Sequence, residues 1–582
     1  MNTTSAAGLA PQHDAALTLP PHHQPPADAR TAASLILVRD ATRDGQPALE
    51  LLMLRRAERD GDLRSGVAVF PGGVLDPRDA LAYRHVRGAD DAVLSARLGL
   101  AADGLAYAVA AVRETFEEAG LLLAQRRDGA PVDAAALAHW RDPLQAGTQT
   151  LDALCEAQGL TLDLSAIVYY SHWLTPPGTP KRFDTRFFIA AAPPGQEATP
   201  DYGEAVELMW LTPQEALAPA RGLKLLPVTQ RTLQALSDHA DTASALAAAR
   251  ARTVIPLVMP RRALRGGRPV VVLPHELPYA EIARLDPTGR ADCFAELLPG
   301  VPVRLGEHIV RVTAPNPGPM TGPGTNSYFV GAGDAWAVID PGPDIAAHVQ
   351  ALIAAAPGRI VKILVTHTHR DHSPAAATLA AATGAPVWGR LAAHAMWQDE
   401  GFAPDHQPAD GERVTIAPGV TLRAVATPGH ASNHLCWLFE EERLLFTGDH
   451  VMQGSTVVIN PPDGDMAAYL ASLRALADAP PEWLAPGHGF LVAEPRSVLE
   501  GLIAHRLRRE AKVAAALSAR EPRSLDALVP RVYDDVNTAL HGVAARSLLA
   551  HLIKLRQDGR AIEHEGQWSA APDHATGGAA QS

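Results

Sequence analysis

The chain sets short apolar runs of strand length against alanine- and leucine-rich stretches of helical length, and the informative positions are where those runs end. Residues 33–38, 51–54, 183–191 and 206–211 predict strands, and residues 107–123 predict a helix. Thr212-Pro213-Gln214-Glu215 marks a helix start, with a threonine cap, a proline at the first helical position and a glutamate at the third. Residues 227–252 predict a long packing helix. Residues 254–273, broken by Pro256, Pro260 and Gly266-Gly267, predict the closing strands of the same unit, with a boundary between 285 and 300. A second set of strands is expected over 309–313, 361–366, 421–427, 443–447 and 483–485, with a helix over 373–383 opened by Ser373-Pro374. Helices over 502–510, 524–534 and 544–557 and a short strand over 559–564 complete the pattern.

Composition adds boundaries and exclusions. A length of 582 residues exceeds one ordinary core, so several domains are expected. Residues 1–30, with their Ala, Pro and His bias, and residues 571–582 predict a disordered leader and tail around units at 31–285, 300–495 and 496–570. A formal charge of −13 excludes bulk, sequence-blind nucleic-acid binding while allowing a local basic face. Cys155, Cys293 and Cys436 are widely spaced and odd in number, which fits a reducing compartment. No run of about 18 apolar residues appears. The expectation is a cytoplasmic protein with no membrane partner.

The densest chemistry lies at the end of the 361–366 run, in His367-Thr368-His369-Arg370-Asp371-His372. Three imidazoles and a carboxylate on one turn are poor core material and good ligands for zinc or a similar transition metal. Matching donors follow in order: Pro428-Gly429-His430, Gly448-Asp449 and Pro486-Gly487-His488, each directly after a glycine. Seven donors exceed the four of a tetrahedral zinc site, so two metals sharing a ligand are expected.

The order H-x-H-x-D-H, P-G-H, G-D, P-G-H resembles the metallo-β-lactamase superfamily, which implies an αββα sandwich with metals at one sheet edge. The resemblance implies that His367, His369 and His430 hold the first of two Zn2+ ions, and that Asp371, His372 and His488 hold the second. Asp449 would bridge them, and Asp340 would support the site without coordinating. A hydroxide between the metals would be the nucleophile, with Asp371 and Asp449 orienting it as well as binding metal. An aspartate at the bridge argues against a true β-lactamase, which typically uses a cysteine in its second site. The loop at 314–328, rich in Pro and Gly, resembles that of the β-lactamase-like-protein-2 group, which includes single-strand endoribonucleases.

In the first unit, Glu114, Glu117 and Glu118 stand at i, i+3 and i+4, so three carboxylates share one helix face that a hard cation such as Mg2+ or Mn2+ would stabilise. Arg113-Glu114-Thr115-Phe116-Glu117-Glu118-Ala119-Gly120-Leu121 after Phe70-Pro71-Gly72-Gly73 is similar to the Nudix box. That similarity implies an α/β/α fold and metal-assisted cleavage of a diphosphate, with the three glutamates as ligands and Arg113 as orienting partner. Gly73 precedes Arg113 by 40 positions, about 26 more than the box spans, and Asp79 stands where its first glutamate is expected. The insertion, together with Ser171-His172-Trp173-Leu174-Thr175-Pro176 and the run from Lys181 to Phe188, resembles the peroxisomal coenzyme A diphosphatase branch. A nucleoside diphosphate or coenzyme A type ligand is implied for this half, either cleaved or simply bound.

Residues 501–570 hold eleven Lys and Arg against eight Asp and Glu, and resemble the winged-helix tail of the same endoribonuclease group. Arg506, Arg508 and Arg509 are candidates for phosphate contact. Loop and tail together favour single-stranded RNA as substrate of the C-terminal centre. Hydrolysis of a small thioester, of the glyoxalase-II or acyl-coenzyme A kind, or of a lactone uses the same metals and is the alternative.

Overall fold

In a computed structural model, residues 23–58, 65–203 and 205–572 are described. The first unit is built on a nine-stranded sheet whose central strand, Ala29–Arg43, pairs antiparallel with Gln46–Arg56 and parallel with Arg182–Ala191. Leu35 and Leu37 face one core and Ile36 and Val38 the other, so both faces of this strand are buried. Helix Gly104–Ala119 covers the first face through residues such as Val109, Val112 and Phe116. Helices Pro227–Leu236 and Thr242–Ala251 cover the second. The expected α/β/α sandwich is therefore formed. The single helix expected over 227–252 is two, because Asp241 caps a new one by accepting from the Ser244 N–H at 2.7 Å.

Two boundaries move. The folded unit starts before residue 31: His23 is buried and bonds Asp184 at 2.6 Å, and Asp28 pairs with Arg182 at 2.7 Å. Charged partners in the sheet hold a segment whose composition alone predicts disorder; residues 1–22 and 573–582 of the expected leader and tail lie outside the described residues. Of the strands expected to close the first unit, only Leu257–Val258 joins its sheet. Arg261–Arg265 and Arg268–Val272 form a separate hairpin that packs with helix Tyr279–Leu285 in a small core of its own. This segment also grips the second unit, where the buried Glu281 carboxylate pairs with both terminal nitrogens of Arg311 at 2.6 and 2.8 Å.

The second unit is the expected αββα sandwich. A six-stranded sheet running from Val303–Arg304 to Val387–Trp388 faces a five-stranded sheet running from Arg413–Ala417 to Trp483–Pro486. One apolar core fills the space between them, including Tyr328, Ile339, Trp437 and Phe446. Helices Ala346–Ala355 and Ala375–Thr383 cover the outside of the first sheet, and Met466–Asp478 covers the second. Helix Pro495–Ala516 continues without a break into the third unit, Leu499 packing on the sandwich and Val513 on the tail. The tail adds helices Leu525–Val532 and His541–Gln557 and the hairpin Ala561–His564 with Gln567–Ala570, a winged-helix arrangement. Among the described residues no helix is long and apolar enough to cross a membrane.

Candidate metal centre

Four strand ends of the second unit deliver the seven predicted donors to one place. The turn after Arg359–Leu364 carries His367, His369, Asp371 and His372. The turns after Val420–Ala426, Leu444–Gly448 and Trp483–Pro486 bring His430, Asp449 and His488. Three of these strands give way to Gly- or Pro-containing turns and the first to the polar run 367–373, and the strand order places the turns on a common edge.

The donors sort into two groups, His367 with His369 and His430, and Asp371 with His372, Asp449 and His488, each with ligand atoms within 4.8 Å of one another. His369 Nδ1 lies 3.0 Å from both His367 Nε2 and His430 Nε2. Asp449 faces both groups: Oδ1 is 3.3 Å from His372 Nε2 and from His488 Nε2, and Oδ2 is 3.7 Å from His430 Nε2. His372 Nε2, His488 Nε2 and Asp449 Oδ1 are buried with no hydrogen-bond partner. Unpartnered buried donors and acceptors aimed at one point are what a divalent transition metal satisfies, so the residues present fit the implied ions.

The surrounding shell fixes the imidazoles. His430 Nδ1 meets the Val458 carbonyl at 2.8 Å and His488 Nδ1 the Gly324 carbonyl at 3.1 Å, leaving Nε2 of each for the centre. Asp340 accepts from the Thr366 backbone and hydroxyl, both at 2.7 Å, and from His372 Nδ1 at 2.9 Å. Gly487 is required by close approach: a Cβ there would sit 2.7 Å from the His372 ring and 2.8 Å from Asp449 Oδ1. His434 is buried outside both groups, stacked on His367 at 5.0 Å.

Sequence reasoning missed three supports. Asn326 donates to the Pro486 and Gly489 carbonyls at 3.1 and 2.8 Å and so ties down the His488 turn. Gln398, from a loop far along the chain, accepts from Thr368 Oγ1 at 2.6 Å. The buried His348 sits beneath the Asp340 turn, bonded to Ser327 at 3.1 Å. No local spacing marks these residues, because each acts across more than 20 positions of chain.

Electrostatics divides the centre. Burial pushes His367 well below its ordinary value, helped by the neighbouring His372 and His369, and burial with His430 pushes His369 down to about 3. Burial opposes charge on His372 and His488 as well, but Asp371, Asp449 and Asp340 outweigh it at His372, and Asp449 with Asp371 raises His488 to about 9. Metal-free, the second group therefore holds protons where cations would stand.

In the first unit, Glu114, Glu117 and Glu118 share the helix face as expected, around a buried Arg113. Arg113 donates to Asp79 at 2.7 and 3.2 Å, to Glu114 at 2.8 Å and to Glu117 at 3.3 Å, and Glu118 accepts the Gly72 N–H at 2.9 Å. Asp79 thus does hold Arg113, and the insertion folds as a short helix Pro77–His85, strand Val86–Arg87 and helix Asp91–Arg97 that carry it there. Burial and the Glu114 charge, only partly offset by Arg113, raise Glu117 to about 7. The three glutamates are not among the groups of described donors that converge within 4.8 Å.

The candidate nucleic-acid residues behave differently from expectation. Arg506 is 3 % exposed, lies over the Tyr469 ring and donates to the Val457 carbonyl. Arg509 is engaged by Asp535 at 2.8 Å and by the Val532 carbonyl. Only Arg508 of the three is exposed. A basic run on a helix with two packed faces supplies internal partners, and that is where two of these arginines go.

Comparison with known proteins places these units. Residues 320–488 match the metallo-beta-lactamase superfamily, 97–224 the NUDT19 Nudix domain and 524–568 the beta-lactamase associated winged helix domain. The chain is 30% identical over 260 residues to a beta-lactamase-like protein 2 homolog of Caenorhabditis elegans, spanning 44% of this chain and 86% of that one. It is 34% identical over 228 residues to an atrochrysone carboxyl ACP thioesterase of Aspergillus chevalieri, spanning 38% and 70%. Aligned over most of such relatives' length, the chain belongs to the metallo-beta-lactamase superfamily, joined on its N-terminal side to a Nudix domain of the NUDT19 type.

Proposed function

We propose that the C-terminal centre hydrolyses acyl thioesters, with His367, His369 and His430 holding one metal, Asp371, His372 and His488 the other, and Asp449 both. The observation that carries the choice of substrate is the engagement of four of the basic tail's cations within the fold. Arg506 and Arg509 are consumed in packing, Lys512 pairs with Asp534 at 2.7 Å, and Lys554 pairs with Asp558 at 2.6 Å. A polynucleotide needs a track of available cations, and these do not form one. A relative named as an ACP thioesterase supports the same reading.

Two zinc ions, or similar transition metals, would supply a water deprotonated near neutral pH and an electrophilic pull on the substrate oxygen. The chain's own part is to position. Asp340 holds His372 by Nδ1, so that its Nε2 keeps its direction. Asp371, the more exposed of the two central carboxylates, stands 3.3 Å from His488 and is placed to orient the attacking water. A thiolate leaving group needs little help from a general acid, since thiols are far more acidic than alcohols.

For the Nudix half we infer Mg2+- or Mn2+-dependent cleavage of a coenzyme A type or nucleoside diphosphate ligand, with Glu114, Glu117 and Glu118 as ligands and Arg113 orienting them. Single-stranded RNA is the second reading for the C-terminal centre, favoured by the resemblance of the loop at 314–328 to that of a group that includes single-strand endoribonucleases. The test assays the metal-quantified protein on an acyl-thioester panel, single-stranded RNA and coenzyme A, beside His369→Ala and Glu117→Gln. Thioester cleavage lost in His369→Ala supports the proposal. RNA cleavage lost in that variant, with thioesters untouched in the parent, overturns it. Coenzyme A bound tightly but never cleaved would make the Nudix half a binding module.

A further inference from the structure

The loop from Arg390 to Asp399 exposes more apolar surface than a loop so firmly held should. Asp399 N–H donates to the Thr368 carbonyl at 2.6 Å, Gln398 accepts from Thr368 Oγ1 at 2.6 Å, and Ala393 N–H donates to Ser432 Oγ at 2.8 Å. The loop is thereby fastened to both segments that carry the first donor group. Yet Leu391, Met396 and Trp397 are 54 %, 53 % and 50 % exposed. Trp397 also adopts a φ of +71°, a left-handed conformation that a bulky residue takes only when its surroundings impose it. A pinned, strained, solvent-facing indole beside a reaction centre is a feature of binding surfaces.

Two guanidinium groups meet this loop. Arg546, from helix His541–Gln557 of the winged-helix unit, lies over the indole at 4.8 Å. Arg370, exposed between the donors His369 and Asp371, reaches the same loop, its Nε 3.4 Å from the Gln398 carbonyl. Two guanidinium groups thus stand next to apolar surface, while Asp399 of the same loop is engaged by Ser373 Oγ at 2.8 Å and the Gly401 N–H at 3.0 Å and Glu400 is exposed beyond it. An apolar chain ending in a phosphate matches both features at once.

Resting on the thioester reading, we propose that Trp397, Arg546 and Arg370 form a recognition rim for the phosphate-bearing carrier arm of the substrate, so that the winged-helix unit contributes directly to specificity. The apolar stretch of the arm packs on Trp397 and Met396, and its phosphate is met by Arg546 and Arg370. One short anionic group suits this rim better than a polynucleotide, because Arg509, Lys512 and Lys554 of the tail are paired within the fold.

The experiment compares an acyl-4′-phosphopantetheine with the same acyl-pantetheine, two thioesters that differ only in the phosphate and contain no diphosphate for the Nudix half. The metal-loaded parent is expected to prefer the phosphorylated substrate about tenfold, through KM, and Arg546→Gln to bring that preference to about one. In parallel, 4′-phosphopantetheine binding is read by tryptophan fluorescence, with the change expected to vanish in Trp397→Phe. Hydrolysis of both thioesters without preference, or a preference that Arg546→Gln leaves intact, overturns the rim and leaves the thioester reading standing. Hydrolysis of neither overturns the thioester reading. The rim then rests on the titration: saturable binding lost in Arg546→Gln supports it, and no binding overturns it. Single-stranded RNA that displaces 4′-phosphopantetheine and is cut would replace the carrier arm with nucleic acid and overturn the assignment.

Discussion

The two candidate metal-binding regions of this chain are organised on opposite plans. In the Nudix half three carboxylates come from a single helix, and a buried arginine with a backbone N–H already engages them. In the C-terminal half seven donors come from four strand ends, and three of their buried atoms meet only as ion pairs: Asp449 Oδ1 lies 3.3 Å from His372 Nε2 and from His488 Nε2, with no well-formed hydrogen bond among them. The first arrangement is partly neutralised without a metal and suits a hard cation that exchanges readily. The second is balanced by protons without a metal, in contacts of poor hydrogen-bond geometry, and suits resident ions. The lesson is that donor count says less about a metal site than what the donors do when the metal is away.

The largest effect should come from His369→Ala, which removes a donor common to both close contacts of the first group. A loss of at least about a thousandfold in kcat on whichever substrate proves active, with reduced metal content by emission spectroscopy, is expected. Retained metal and retained rate would break the contrast at its stronger end. Asp340→Asn weakens the hold on His372 and should lower metal affinity about 10- to 100-fold, measured by competition with a chromophoric chelator.

Proton competition gives a sharper version. His488 at about 9 and His372 well above its usual value mean that metal uptake in the second group expels protons at neutral pH. Affinity should rise about tenfold per pH unit for each proton released between pH 6.5 and 8.5. A flat profile would mean that the ions enter without displacing those protons.

The smallest effect lies in the Nudix half. Glu117 has its pKa raised to about 7 from an unfolded value near 4.5, so the folded state holds an extra proton between those limits. Its contribution to stability is complete below about pH 4.5 and is lost as pH rises through about 7. Thermal melting of metal-free protein should show the N-terminal transition falling across that window, Glu117→Gln flattening the fall, and Mg2+ restoring the parent. A parent transition unaffected by Mg2+ at pH 8 would argue that the glutamates hold no cation.

The residues that carry chemistry were legible because metal chemistry constrains residue type and backbone geometry locally. His367 to His372 sit on one turn, and Glu114, Glu117 and Glu118 on one helix face, so neighbours in sequence remain neighbours in space. Strand and helix patterns located many of the elements, since burial on one or both faces leaves its period in the chain, while the α/β/α and αββα layers were expected only from the resemblance of the motifs to known families. What the pattern could not supply is every decision made by a distant partner. His23 belongs to the fold because of Asp184, Asp79 is a working partner because the insertion returns it to Arg113, and Arg506 is a packing residue because of Tyr469 and Val457. A charge in sequence is only a donor or acceptor in search of a partner. Whether it faces substrate, metal or its own core is settled by tertiary contacts, because desolvation forces each buried polar group to bond whatever the fold brings to it.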